Sequence, residues 1–202
     1  MEDIIIVVGI TLVLVGFAMK FGKKDEGSYS KAKVVEEKST SSAKDNFDEN
    51  KVKGDAFEKY VVLKFDTGYF IIKEWRSDKM VNGMYAVSNH FPDLEIEFNF
   101  RKKNIQDTFA VECKYRSDYY KNSVEWAQDY QLGNYKKYAA AIKVPVFIVI
   151  GVGGKPEDPA ELFIVPLQEV KKTILTKDFL SSFKIEDKNN HFYWDVERKI
   201  LR

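Results

Sequence analysis

The chain has 202 residues, with 32 Lys+Arg against 31 Asp+Glu for a formal net charge of +1, one cysteine and two histidines. That balance excludes a polycation, so affinity for an acidic partner has to come from local clusters such as Arg101-Lys102-Lys103, Lys114 with Arg116, or Lys136-Lys137. The single Cys113 excludes an intrachain disulfide and suits a reducing compartment. With one cysteine, and His90 and His191 far apart in sequence, a zinc site has almost no sequence support.

The first feature is Ile4 to Met19, an uncharged run made mostly of Ile, Val, Leu and Gly. As a helix it spans about 24 Å, slightly short of the roughly 30 Å hydrocarbon core. Phe21 and a snorkelling Lys20 extend it. Glu2 and Asp3 precede the run and no Ala-x-Ala site follows it, which argues against a cleaved leader. Lys20, Lys23 and Lys24 lie after it, so the positive-inside rule places that end in the cytoplasm. Residues 1–21 are expected to form a single transmembrane anchor, embedded through residues 4–21, with the rest of the chain cytoplasmic. Residues 22–50 are rich in Lys, Glu, Ser and Asp and poor in large apolar side chains, the composition of a flexible charged linker. Residues 51–202 suit one domain with a sizeable core. They hold 25 Lys+Arg against 22 Asp+Glu, a formal +3.

Within that domain, Ala56 to Phe65 reads as a helix through Phe57, Tyr60, Val61 and Leu63, stopped by Asp66-Thr67-Gly68. Tyr69 to Trp75 reads as a strand, followed by a loop to Phe91. Pro92 to Phe100 alternates, with Asp93, Glu95 and Glu97 on one face and Leu94, Ile96 and Phe98 on the other. Arg101-Lys102-Lys103-Asn104 has hairpin-turn character. Thr108 to Arg116 alternates again: Glu112, Lys114 and Arg116 share one face, Val111, Cys113 and Tyr115 the other. The spacing predicts a long helix over Ser123 to Ile142 with Ser123 as its cap. Val144 to Val152 is nearly continuously apolar and reads as a buried parallel strand reached through that helix. Gly151-Val152-Gly153-Gly154 reads as a turn, since no Lys-Ser/Thr follows to make a phosphate loop. Glu161 to Val165 is a further strand, and Pro166 is placed to start a helix over Leu167 to Ile174. The aromatic residues Phe179, Phe183, Phe192, Tyr193 and Trp194 are expected to pack the last segment on the core.

Pairing the two alternating strands brings Asp93 and Glu112 together, with Lys114 beside them. Two carboxylates from adjacent strands can hold a hard cation such as Mg²⁺ while leaving places for water and phosphate. A neighbouring lysine can orient the attacking water and offset phosphate charge. Cys113 lies on the apolar face of its strand, as a buried structural thiol does.

Pro92-Asp93 followed by Glu112-Cys113-Lys114 resembles the PD-(D/E)xK, or restriction-endonuclease-like, nuclease superfamily. Glu58, in the helical stretch opened by Gly54-Asp55-Ala56-Phe57, matches a further acidic residue of many members, and Gln131 with Tyr135 matches the Q-x-x-x-Y pattern of some branches. The resemblance covers roughly Lys51 to Pro166. It implies an α/β fold with an αβββαβ core, a mixed central sheet flanked by helices. It implies metal-dependent hydrolysis of phosphodiesters, with DNA as the expected partner. Asp93 and Glu112, helped by the Cys113 backbone carbonyl, would hold Mg²⁺ or Mn²⁺, and Lys114 would position the water. Glu58 would complete the site through a second metal or a water; Gln131 would hold Lys114, a metal-bound water or a phosphate. Glu95 shares the face of Asp93 and competes with it for the ligand role.

Each feature also has an ordinary reading. An acidic alternation is commonly a solvated sheet face, Glu-x-Lys a same-face charge pair, and Glu58 an acid favoured near a helix start. Two other functions therefore stand beside the nuclease: a non-catalytic nucleic-acid-binding module of the same fold, and a membrane-anchored adaptor.

Overall fold

The alternation of apolar and acidic residues around Asp93 and Glu112 is built into a sheet that is covered on both faces. The computed structural model describes residues 40–76, 80–81, 84–85 and 90–202. The expected transmembrane anchor, and the linker as far as residue 39, lie outside the described residues. No helix among the described residues is long and apolar enough to cross a membrane.

In chain order the elements are α1 (Thr40–Val62), β1 (Phe70–Trp75), β2 (Met80–Val81), β3 (Met84–Tyr85), β4 (Leu94–Phe100), β5 (Ile105–Arg116), β6 (Ser123–Glu125), α2 (Asp129–Ile142), β7 (Val146–Lys155), β8 (Asp158–Pro166), β9 (Ile174–Thr176), α3 (Lys177–Ser181), β10 (Trp194–Asp195) and β11 (Ile200–Leu201). The main sheet has the order β1-β4-β5-β7-β8. β5 and β7 are parallel, and the other neighbours are antiparallel. A parallel pair cannot be joined by a tight turn, and the crossover here carries α2. Leaving aside the short β2–β3 and β6–β9 ladders, the order helix, three strands, helix, strand is the αβββαβ core that the motifs imply, with a mixed sheet between helices.

The two faces of β4 and β5 part as their alternation requires. Leu94, Ile96, Phe98, Phe109, Val111 and Cys113 join Phe147 and Val149 of β7 against Phe57 and Val61 of α1, Phe65 just beyond it, and the aromatics Phe192 and Trp194. Burying each such side chain is worth about 1.5–3 kcal/mol. Gly151 allows this close approach: a Cβ there would stand 2.4 Å from Phe57 Cε2. The opposite face, with Ala110, Ile148, Ile150 and Val165, is covered by Leu132, Tyr135 and Tyr138 of α2 and by Trp126. The final segment packs on the core as its aromatic content suggests. Trp194 stacks on Phe109 at 4.6 Å and donates its indole N–H to Asp107 at 2.9 Å.

Several boundaries differ from expectation. α1 starts at Thr40, inside the segment read as linker, and its middle carries the i,i+4 pairs Glu49–Lys53 and Lys51–Asp55. α2 begins at Asp129 rather than Ser123. Residues 123–125 form β6 instead, paired with β9, which buries Val124 and Leu175. The helix expected over Leu167 to Ile174 is a single 3-10 turn, Leu167–Glu169, followed by that partner strand. Long-range pairing has overridden local helical spacing in both places. β7 runs through Gly153 and Gly154, both at positive φ, and the hairpin turns two residues later. At Gly154 a Cβ would meet the Asp158 carbonyl oxygen at 2.6 Å.

Candidate active site

Asp93 stands immediately before β4, and Glu112 and Lys114 stand on β5. Leu94 faces Val111 and Glu95 faces Ala110; carried one residue further, this register brings Asp93 level with Glu112. The contact is direct at the backbone, where the Cys113 N–H donates to Asp93 Oδ2 at 2.7 Å. Lys114 Nζ lies 2.6 Å from Glu112 Oε1, and the Tyr135 hydroxyl donates to the same oxygen at 2.6 Å. Glu112 is 1% exposed. Its other oxygen, Oε2, is buried without a hydrogen-bond partner, and no other buried side-chain polar atom among the described residues is in that position. A buried, unsatisfied carboxylate oxygen is costly and calls for an explanation.

Burial and the neighbouring carboxylates outweigh Lys114 at this corner. Removal from water is the largest effect on Asp93 and pushes its carboxyl well above the usual carboxylate range. The negative charges of Glu112 and Glu58 push the same way, against Lys114 and the Cys113 amide. Burial, then Asp93, Glu58 and Glu112, push the Cys113 thiol up as well, so it stays protonated and is no nucleophile. Glu58 follows Phe57 on α1, and its Oε2 accepts the Trp75 indole N–H at 3.0 Å. Trp75 pairs with Leu94, the residue after Asp93, so this bond brings Glu58 to the same corner of the sheet.

The competing carboxylates are occupied elsewhere. Glu95 Oε2 receives Arg76 Nη2 at 3.1 Å and the Tyr138 hydroxyl at 3.0 Å. Burial and that carboxylate push the Tyr138 hydroxyl up to about 12. Glu97 takes Lys73 at 3.3 Å and the Asn99 amide at 3.1 Å. The acidic face of β4 is thus divided among separate partners, and Asp93 is the member that meets Glu112.

Gln131 departs from expectation. Its Oε1 accepts the Gln128 N–H at 2.9 Å, so its carbonyl end closes the first turn of α2 instead of reaching Lys114. The reason is the late start of α2, which puts Gln131 at the third helical position, where a side chain reaches back to the cap. Tyr135, one turn on, supplies the hydroxyl to Glu112. Its only sequence signal was its membership of the Q-x-x-x-Y pair. In the sequence Trp75 is simply the end of a strand, and nothing local shows that its indole faces Glu58.

Comparison with family models and with curated proteins finds no match. Among solved structures, the chain is similar to Archaeoglobus fulgidus Hjc, a Holliday junction resolvase from an archaeal hyperthermophile. Identity is 13%, over 66% of this chain and 94% of that chain, with a TM-score of 0.44. Among the described residues no group of three or more His, Cys, Asp or Glu side chains is arranged to hold a metal ion. The candidate donors are two carboxylates and a backbone carbonyl, a set that suits Mg²⁺, which keeps several of its waters.

Proposed function

We propose that this chain is a metal-dependent nuclease that hydrolyses phosphodiester bonds in DNA, tethered to a membrane by residues 4–21 with its catalytic domain in the cytoplasm. The observation that carries the reading is Glu112 Oε2, buried without a partner beside Asp93. The same corner holds an Asp93 carboxyl whose ionisation is opposed by its surroundings. Both features are what a cation would relieve. Asp93 and Glu112, with the Cys113 carbonyl, would hold Mg²⁺ or Mn²⁺. Such an ion, when bound, supplies Lewis-acid polarisation of the phosphoryl oxygens and a more acidic water.

The chain's own residues do the rest. Lys114, anchored on Glu112 Oε1, presents positive charge where phosphate charge develops and orients the water for attack. Tyr135 holds Glu112 in one rotamer from behind. Glu58, oriented by Trp75, would complete the site through a second ion or a water. Glu95, engaged by Arg76 and Tyr138, is left out of the ligand set. Ile4–Met19, uncharged and followed by lysines, supports the tether and its orientation.

The test is cleavage of single- and double-stranded DNA and RNA by the purified full-length protein with Mg²⁺, Mn²⁺ or chelator. Cleavage with metal and none with chelator is expected. Lys114→Ala should lower cleavage by about 100-fold or more, in the range of a lost acid–base or electrostatic group, while retaining most Mg²⁺ binding. Asp93→Ala should lose both, and Glu95→Ala should lose far less. Binding without cleavage by the wild-type protein, under either metal, would make the non-catalytic module the better reading.

A further inference from the structure

Trp75 closes β1 opposite Leu94, one residue from Asp93, and the next amide, that of Arg76, donates to the Asp93 carbonyl at 2.7 Å. The indole N–H is committed to Glu58 Oε2 at 3.0 Å, yet the residue is 45% exposed, whereas Trp126 and Trp194 are 0% and 1% exposed. Tryptophan is ordinarily well buried, so an exposed one, held by its polar edge at the rim of a candidate active site, needs a reason. Fixing the ring through its N–H removes in advance much of the rotamer freedom that a contact would otherwise cost. The Glu58 carboxylate at the edge of the ring disfavours an acidic peptide there. A flat, uncharged nucleobase meets no such penalty.

We propose that Trp75 is a stacking platform for an unpaired nucleobase flanking the scissile phosphate, and that the same side chain positions Glu58. The proposal rests on the nuclease reading above and narrows its substrate class. An indole face accepts any base, whatever its sequence. A base inside an intact duplex is stacked on its neighbours and reaches the indole only by being extruded, at a cost of a few kcal/mol. The preferred substrates are therefore strands with unpaired bases at the cut: single strands, flaps and mismatched or branched positions. Glu58 is held by the N–H edge and the base by the ring face, so one substitution separates the two roles. Phenylalanine keeps a stacking face and loses the hydrogen bond; alanine loses both.

The full-length protein contains its own reporter, because the other two tryptophans are buried. Titration with oligothymidylate in Ca²⁺ should quench the exposed tryptophan emission, and an equal concentration of fully paired duplex should not. In Trp75→Phe the quenching should vanish while the anisotropy of a labelled single strand still reports nearly wild-type affinity. With Mg²⁺ the same variant should show lowered kcat with little change in KM, the mark of a displaced Glu58. Trp75→Ala should weaken single-strand binding about 5- to 150-fold, the range set by stacking of one base, and leave duplex binding unchanged. Circular dichroism matching the wild type excludes a folding defect, and Trp75→Phe keeps the test open if the alanine variant does not fold. Cleavage by the wild type with no quenching, and Trp75→Ala binding single strands normally, overturns the platform and leaves the nuclease reading standing. Quenching abolished by Trp75→Phe, in a protein that cuts nothing, does the reverse.

Discussion

Replacing Tyr135 with phenylalanine removes one atom, and the consequences can be worked out from its surroundings. The residue is 2% exposed and its hydroxyl donates to Glu112 Oε1 at 2.6 Å. Its ring packs on Trp126 at 6.0 Å, a contact that phenylalanine preserves. A hydrogen bond to a charged group contributes about 1.5–3 kcal/mol. Glu112 is nearly inaccessible and Oε2 already lacks a partner, so water cannot replace the lost donor. Lys114 still pairs with the same oxygen, so the cost should stay within that range, which for a unit of this size lowers Tm by roughly 3–12 °C. Loss of a group that orients a metal ligand also weakens metal affinity about 10- to 100-fold. Thermal melts with and without Mg²⁺, together with the Mg²⁺ dependence of cleavage, measure both effects. Gln131→Ala is the comparison: its carbonyl accepts the Gln128 N–H from the third helical position, so it should cost about 0.5–1.5 kcal/mol, one ordinary hydrogen bond, with no change in Mg²⁺ requirement. If Tyr135→Phe melts like the wild type with an unaltered Mg²⁺ requirement, while Gln131→Ala shifts that requirement, the roles assigned to the two residues are reversed.

Gly151→Ala should destabilise the protein by at least about 1–3 kcal/mol, the usual cost of overpacking, because its Cβ would stand 2.4 Å from Phe57 Cε2 in the core. Urea melts in which Gly151→Ala matches the wild type would show that α1 does not press on β7 as described, and Phe57→Leu should recover part of the loss. Asp93→Asn bears on charge. The folded-state pKa of Asp93 is raised above the value near 4 expected in the unfolded chain. Its favourable contribution in metal-free protein is therefore full below that value and is lost as pH rises through the folded pKa. Without metal, the asparagine variant should be more stable than the wild type near neutral pH, and the gap should close toward pH 4. With Mg²⁺ the order should reverse. Metal-free melting curves that superimpose at every pH would refute the crowding of charge at this site.

Much of this molecule is legible one strand at a time. The alternation in Leu94–Phe98 and Val111–Tyr115 assigns each side chain to a face, because a strand has no other period available. Once two such strands form a hairpin, register brings Asp93 to Glu112, and Lys114 follows two residues on. The continuously apolar Val146–Val152 announces a strand buried on both faces for the same reason. Elements whose stability comes from distant partners were not legible. Ser123–Glu125 reads as the start of a helix and Ile174 as the end of one, yet 123–125 and 174–176 become strands by pairing with each other. Only the folded chain decided which carboxylates are free for chemistry: Arg76 and Tyr138 claim Glu95, Lys73 and Asn99 claim Glu97, and Glu112 Oε2 is left without a partner. It also decided that Tyr135 rather than Gln131 reaches Glu112, and that Trp75 holds Glu58. Local sequence sets which way a side chain points, whereas its hydrogen-bond partner depends on residues that the fold brings in from other elements.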